Sequence, residues 1–376
     1  MKRYLDFNAT CPPVAAALDA VNQAATEAPG NPSSLHWAGR AARRVVDDSR
    51  DKLAKFIDCE SGSIVFTSGG TEADNIAIHS VLESAKSGRV VCTAIEHPAV
   101  LKPLQRMSEQ GLDIVFVRPD KNGIVTTESM IAAINGDTLL VCMMLINNES
   151  GAIQPVQEVA EHCRRHGIPM LVDAVQALGK IPVNFQKLGV DFMSLSAHKI
   201  GGLKGVGALL VRRGVKLQEL TPGGGQERGR RSGTENVPGI AAFAAALGEI
   251  DFTALGSIRD TFEQQLKIQI PKVRIISEHA PRAANTSLII LPGMDGETLL
   301  MQLDLAGFAV ASGSACSSGK REASHVLLSM GLNESVARSS ILVSFGPGNS
   351  SEDAHALVTA LVSSCNRLKG MAGPAA

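Results

Sequence analysis

Seven short apolar runs, each bounded by turn residues and separated by helical patterns, restrict this chain more than any other feature. SIVFT, RVVCTAI, DIVFV, LLVCMML, IPMLVD, FMSLS and GALLV read as strands alternating with helices, the pattern of an α/β fold. The runs lack a strict period of two, which suits a mostly parallel sheet covered by helices on both faces. Such a sheet gathers ligands at the carboxyl ends of its strands. At 376 residues and 44% hydrophobic, one core usually gives way to two. We expect a large α/β domain over residues 14–250 and a smaller α+β domain built from 1–13 and 251–376. The boundary falls on an Ala-rich helix over 239–250 that runs on through 259–267.

The net charge of −1 argues against a surface that tracks nucleic-acid phosphates. Arg40, Arg43 and Arg44 are followed closely by Asp47, Asp48 and Asp51, which reads as a solvated helix face. No apolar run approaches the roughly 20 residues that span a bilayer, so a cytoplasmic protein with no membrane partner is expected. The seven cysteines include no CxxC pair and no zinc spacing. Cys92 and Cys142 lie in apolar strand runs and read as small buried hydrophobes. Cys316, in ASGSACSSGKREASH, is surrounded by serine, alanine and glycine, which describes an accessible loop and a candidate nucleophile.

Five strand ends carry polar groups. After SIVFT come Ser68, Gly69, Gly70 and Thr71 at the start of a helix, where free N–H groups and the helix dipole favour a phosphate; a plain capped turn has the same look. IPMLVD ends in Asp173, with Gln176 just beyond, and FMSLS ends in Ser196, His198 and Lys199. The acid and the amine could simply pair. The sharper reading makes Lys199 the Schiff-base partner of an aldehyde cofactor, pyridoxal 5'-phosphate (PLP), with Asp173 holding its ring nitrogen protonated. His97 either starts a helix before Pro98 or lies flat on the cofactor ring. Asn147 and Asn148 are either turn formers or, for Asn148, a partner of the ring's phenolic oxygen.

These residues fall in motifs that resemble those of the cysteine desulfurases of the NifS and IscS kind. YLDFNAT, GNPSSLH, TSGGTEADN, EHPAV, NNESGAIQP, VDAVQALGK, SAHK, GGGQERGRRSGTEN and SGSACSSG occur in that order over nearly the full length. The resemblance implies a homodimeric fold-type-I PLP enzyme of the long-loop group. Lys199 would bind the cofactor, and Asp173 would face the pyridine nitrogen. Gln176 and Asn148 would contact the phenolic oxygen. Gly70, Thr71, Ser196 and His198 would hold the phosphate, joined by Thr234 from the neighbouring subunit. His97 would assist as acid or base. Cys316 would take sulfur from L-cysteine, releasing alanine and leaving a persulfide for an acceptor or iron–sulfur scaffold protein.

One departure stands out. The family usually places an arginine for the substrate carboxylate on the strand near the C-terminus, and SSILVSFG has Leu342 there. Arg338 is the nearest substitute, but four strand residues at about 3.3 Å each put it on the order of 13 Å away. Two other outcomes therefore stand beside desulfuration. One is a different PLP reaction on a small amino acid, such as selenocysteine lysis or β-elimination; the other is a PLP-binding partner protein with little turnover. Cys11 and Leu203 also depart from the family pattern, with no consequence assigned.

Overall fold

The computed structural model describes residues 2–312 and 323–371. Its strands, in chain order, are β1 (Arg3–Tyr4), β2 (Ile64–Thr67), β3 (Arg89–Thr93), β4 (Asp113–Val117), β5 (Thr138–Cys142) and β6 (Met170–Asp173). There follow β7 (Phe192–Ser196), β8 (Gly207–Val211), β9 (Arg274–Ile275), β10 (Thr286–Ile290), β11 (Phe308–Ala309) and β12 (Ser340–Ser344). All seven apolar runs become strands of one sheet, in the order β2-β8-β7-β6-β5-β3-β4. β8 runs antiparallel to both its neighbours, and the remaining pairs are parallel.

The absence of polar alternation in these runs has a direct cause. Odd and even residues enter two different cores: Phe66, Val91, Val141, Val172 and Met193 pack on one face, and Val65, Val90, Leu140, Leu171 and Phe192 on the other. Each core is roofed by helices, so neither face needs polar side chains.

A three-stranded sheet, β12-β10-β9, and the two-stranded pair β1-β11 lie apart from the large sheet. Ile289, Ile341 and Val343 point into a core shared with Phe262, Leu357 and Leu5, while Leu288, Ile290 and Leu342 face a smaller apolar cluster with Leu327. The helix expected across 239–267 is two helices, Val237–Ala246 and Gly256–Gln269. Leu247 turns to ψ 120° and Gly248 takes φ 79°, a left-handed conformation that favours glycine and stops the first helix. The first helix packs on the large core through Ile240, Ala242 and Phe243, and the second supplies Phe262 and Leu266 to the smaller one.

Candidate active site

The carboxyl ends of β2, β3, β5, β6 and β7 open on one cavity of about 460 Å³. Gly70 and Thr71 reach it from β2, His97 from β3, Asn148 from β5, Asp173 and Gln176 from β6, and Ser196, His198 and Lys199 from β7. Nine residues expected from the sequence thus line a single space. Asp6, Asn8 and Ala9 close one side, and Leu300, Val310, Ala311 and Leu342 supply an apolar wall.

The glycine turn is shaped for close approach. Gly69 ends the strand connection without a side-chain cap, which leaves the first N–H groups of helix Gly70–Leu82 unclaimed by a cap. A Cβ on Gly70 would stand 2.5 Å from Cγ2 of Val175, and one on Gly207 would stand 2.6 Å from Cα of Gly69. The turn is therefore pressed against β8 and the β6 loop, with room for backbone alone.

Lys199 follows β7 in a single helical turn, Ala197–Lys199. Its Nζ donates to the carbonyls of Asn8 at 2.6 Å and Ala9 at 2.9 Å. Burial lowers its pKa to about 8, against the opposing pull of Asp173 and Asp6. Such an amine exchanges its proton near neutral pH, as a Schiff-base lysine must. Asp173 accepts the N–H of Val175 at 2.9 Å. Burial raises its carboxyl above the usual range, while His97, that N–H and Lys199 oppose the rise; a protonated ring nitrogen against it would oppose it further.

His97 starts its helix as one sequence reading had it, and it also faces the cavity. It caps helix Pro98–Glu109, Nδ1 accepting the N–H of Ala99 at 3.1 Å, and it lines the cavity. With Nδ1 so occupied, the proton of the neutral ring sits on Nε2. Burial first, then Lys199, His325 and Lys102, lower its pKa against the pull of Asp173. His198 is pushed down to about 4 by burial, then by Lys199 and Lys204, and its Nδ1 lies 3.1 Å from Thr10 Oγ1. It is a neutral ring.

Two expected residues lie elsewhere. Thr234 lines a separate cleft of about 90 Å³ beside Ser68. Arg338 caps the short helix Glu334–Ala337, and its guanidinium bonds Glu334 at 2.5 and 3.1 Å. The helix ends before β12 begins, so Arg338 never joins the strand, and it is not brought to the cavity as a substitute for a carboxylate-binding arginine. Leu342 does line the cavity, 6% exposed. Among the described lining residues Lys199 is the one lysine or arginine. Cys316 lies outside the described residues.

Sequence reasoning missed Asn8, Asp74 and Glu149. Asn8 arrives from the far N-terminus and bonds Lys199 and Gln176 through its carbonyl. Asp74 sits one helical turn beyond Thr71, a spacing that could have flagged it. Its Oδ1 is buried without a hydrogen-bond partner, and burial, then Asp173, raises its pKa well above the ordinary value. Glu149 is pushed up to about 8 by burial, opposed by Ser324. Burial thus favours the protonated form of both carboxyls.

The aminotransferase class-V family profile matches residues 3–357. Cysteine desulfurase IscS of Dictyoglomus turgidum is 39% identical over 363 residues, covering 94% of this chain and 92% of the relative. The chain belongs to the cysteine desulfurases of the aminotransferase class-V family. A solved NifS-like protein superposes with a TM-score of 0.89 at 33% identity, covering 96% of this chain and 99% of that one. SspA in complex with cysteine superposes with a TM-score of 0.84 at 27% identity, covering 93% and 100%.

The desulfurase is a PLP-dependent enzyme, and its cavity fits that cofactor on grounds of its own. An amine and a buried carboxyl line one space, a backbone cradle stands where a Cβ would not fit, and the Oδ1 of Asn148 is buried without a partner. No helix among the described residues is long and apolar enough to cross a membrane.

Proposed function

We propose that this desulfurase removes sulfur from L-cysteine, releases L-alanine and carries the sulfur on Cys316 to an acceptor. The observation that carries the reading is Lys199 and Asp173 lining one cavity from the ends of adjacent strands β7 and β6. When bound, PLP supplies an aldehyde for the substrate amine and a ring that accepts electron density from the α-carbon. Lys199 would hold it, with Asp173 at the ring nitrogen and Asn148 and Gln176 toward the phenolic oxygen. Gly70, Thr71, Ser196 and His198 would hold the phosphate.

The chain's own groups then divide the proton work. Lys199, with a pKa near neutrality, takes the proton from the substrate α-carbon and returns one later. His97, which lines the cavity and carries its proton on Nε2, would serve as the acid. The Cys316 thiolate attacks the substrate sulfur; the carbon–sulfur bond breaks, its electron pair stays with the carbon, and a proton completes alanine. The sulfur remains as a persulfide.

Several details extend this reading. Thr234 lies outside the cavity of its own subunit, and Leu35 and Trp37 are 90% and 72% exposed; both support a homodimer in which Thr234 reaches the partner's phosphate site. Cys11, Cys59, Cys92, Cys142 and Cys163 are in no disulfide, which supports work in the reducing cytoplasm, with an iron–sulfur scaffold or another thio-cofactor protein as acceptor. Incubation with L-cysteine and a reductant should yield sulfide and alanine in equal amounts. Pyruvate and ammonia would mark elimination instead, and a yellow protein without turnover would mark a binding role.

The apolar wall at Leu342 predicts weak grip on the substrate carboxylate. A charge-assisted pair contributes about 1.5 to 3 kcal/mol, so Leu342→Arg should lower the KM for L-cysteine roughly ten- to a hundredfold. Steady-state kinetics decide this, and an unchanged or higher KM counts against it.

A further inference from the structure

Behind the cavity wall lies a buried ammonium that the reaction as described does not use. Lys180 is 2% exposed, and its Nζ donates to Oδ1 of Asn8 and Oε1 of Gln176, each at 2.6 Å. The Phe252 ring centroid stands 5.7 Å away. An ammonium at this depth is costly unless its hydrogens are accepted, and here neutral amide oxygens accept them.

That arrangement assigns atoms. A side-chain amide offers an oxygen and a nitrogen of similar shape, but an ammonium admits only the oxygen. Gln176 must therefore turn Nε2 away from Lys180. One of its hydrogens goes to the carbonyl of Asn8 at 2.9 Å, and the other is left for the cavity that Gln176 lines. Asn8 is fixed in the same manner. With Oδ1 on Lys180, its Nδ2 donates to the carbonyl of Asn148 at 3.2 Å and to Thr286 Oγ1 at 3.0 Å. The carbonyl of Asn8 then receives Lys199 at 2.6 Å.

We propose that Lys180 is a positioning residue for the cofactor cavity: it orients the amides of Asn8 and Gln176 so that Gln176 presents an N–H donor and Lys199 is held at one place. The inference rests on the PLP reading above and deepens it. Among the described residues, Lys199 and Cys11 act on Lys180, while Asp173 and Asp6 act on Lys199. Burial, reinforced by Lys199 and opposed by Cys11, brings Lys180 down to about 7, so its charge is easily lost or kept near neutral pH.

The test is a pH titration of the visible absorbance of PLP-loaded protein, wild type against Lys180→Met and Lys180→Gln. Removing a positive charge and a fixed donor both favour protonated forms, so Lys180→Met should keep PLP while its spectral midpoint rises by about one pH unit or more. Lys180→Gln, which keeps N–H donors without the charge, should fall between. In turnover, kcat should drop more than KM changes. A Lys180→Met midpoint within about 0.2 unit of wild type overturns the proposal, as does failure of both variants to fold with PLP, which would make Lys180 structural. A wild-type protein without a visible band would instead sink the cofactor reading on which the proposal stands.

Discussion

Lys199→Ala is expected to fold, to retain PLP loosely and to lose desulfuration by about a thousandfold or more, the range of a missing acid–base and covalent group. The fold should survive because Lys199 ends in two carbonyl contacts, and the carbonyl of Asn8 keeps Gln176 as a donor when the amine is gone. Anchoring of the phosphate would fall to Gly70, Thr71, Ser196 and His198, which the change leaves alone. The checks are alanine formation, PLP content after dialysis and far-ultraviolet circular dichroism on one preparation. Turnover within tenfold of wild type would remove Lys199 from the chemistry.

Cys316→Ala should bring both sulfide and alanine to background while leaving one visible PLP band per chain. Sulfur leaves the substrate only if a thiolate accepts it, so the two products should vanish together. Four of the other cysteines are poor replacements. Burial raises Cys11 to about 11 and Cys59 and Cys163 to about 12, with neighbouring acids adding to the rise at the latter two. Cys92 is raised by burial, and further by Cys142 and Glu96. Thiols so shifted are scarcely ionised at neutral pH and make weak nucleophiles. Alanine released at the wild-type rate by Cys316→Ala would reject the assignment.

Much of the fold was legible because its signals are local. Seven apolar runs became the seven strands of the large sheet, and the polar residues at their ends converge since parallel strands share a carboxyl edge. What stayed hidden depends on distant partners. Asn8 acts through Gln176, Lys180 and Lys199, 168 to 191 residues away, and nothing in YLDFNAT reveals that convergence. Lys180 in VDAVQALGK carried no signal of its depth, because burial of a long charged side chain depends on acceptors, here Asn8 and Gln176, one of them from a distant segment. Arg338 misled by spacing: Asn333 caps a short helix, so a position counted along an extended strand lies on a turn instead. The broken helix at Gly248 was masked by the alanines on its N-terminal side, whose propensity extends a helix reading past the glycine that ends it.

The mechanism depends on where the aldehyde of PLP becomes attached. Borohydride reduction of the purified yellow protein, followed by digestion and mass spectrometry, should place one pyridoxyl group on the peptide containing Lys199 and none elsewhere. Attachment at another lysine, or a protein that binds no PLP when it is supplied in excess, would contradict it.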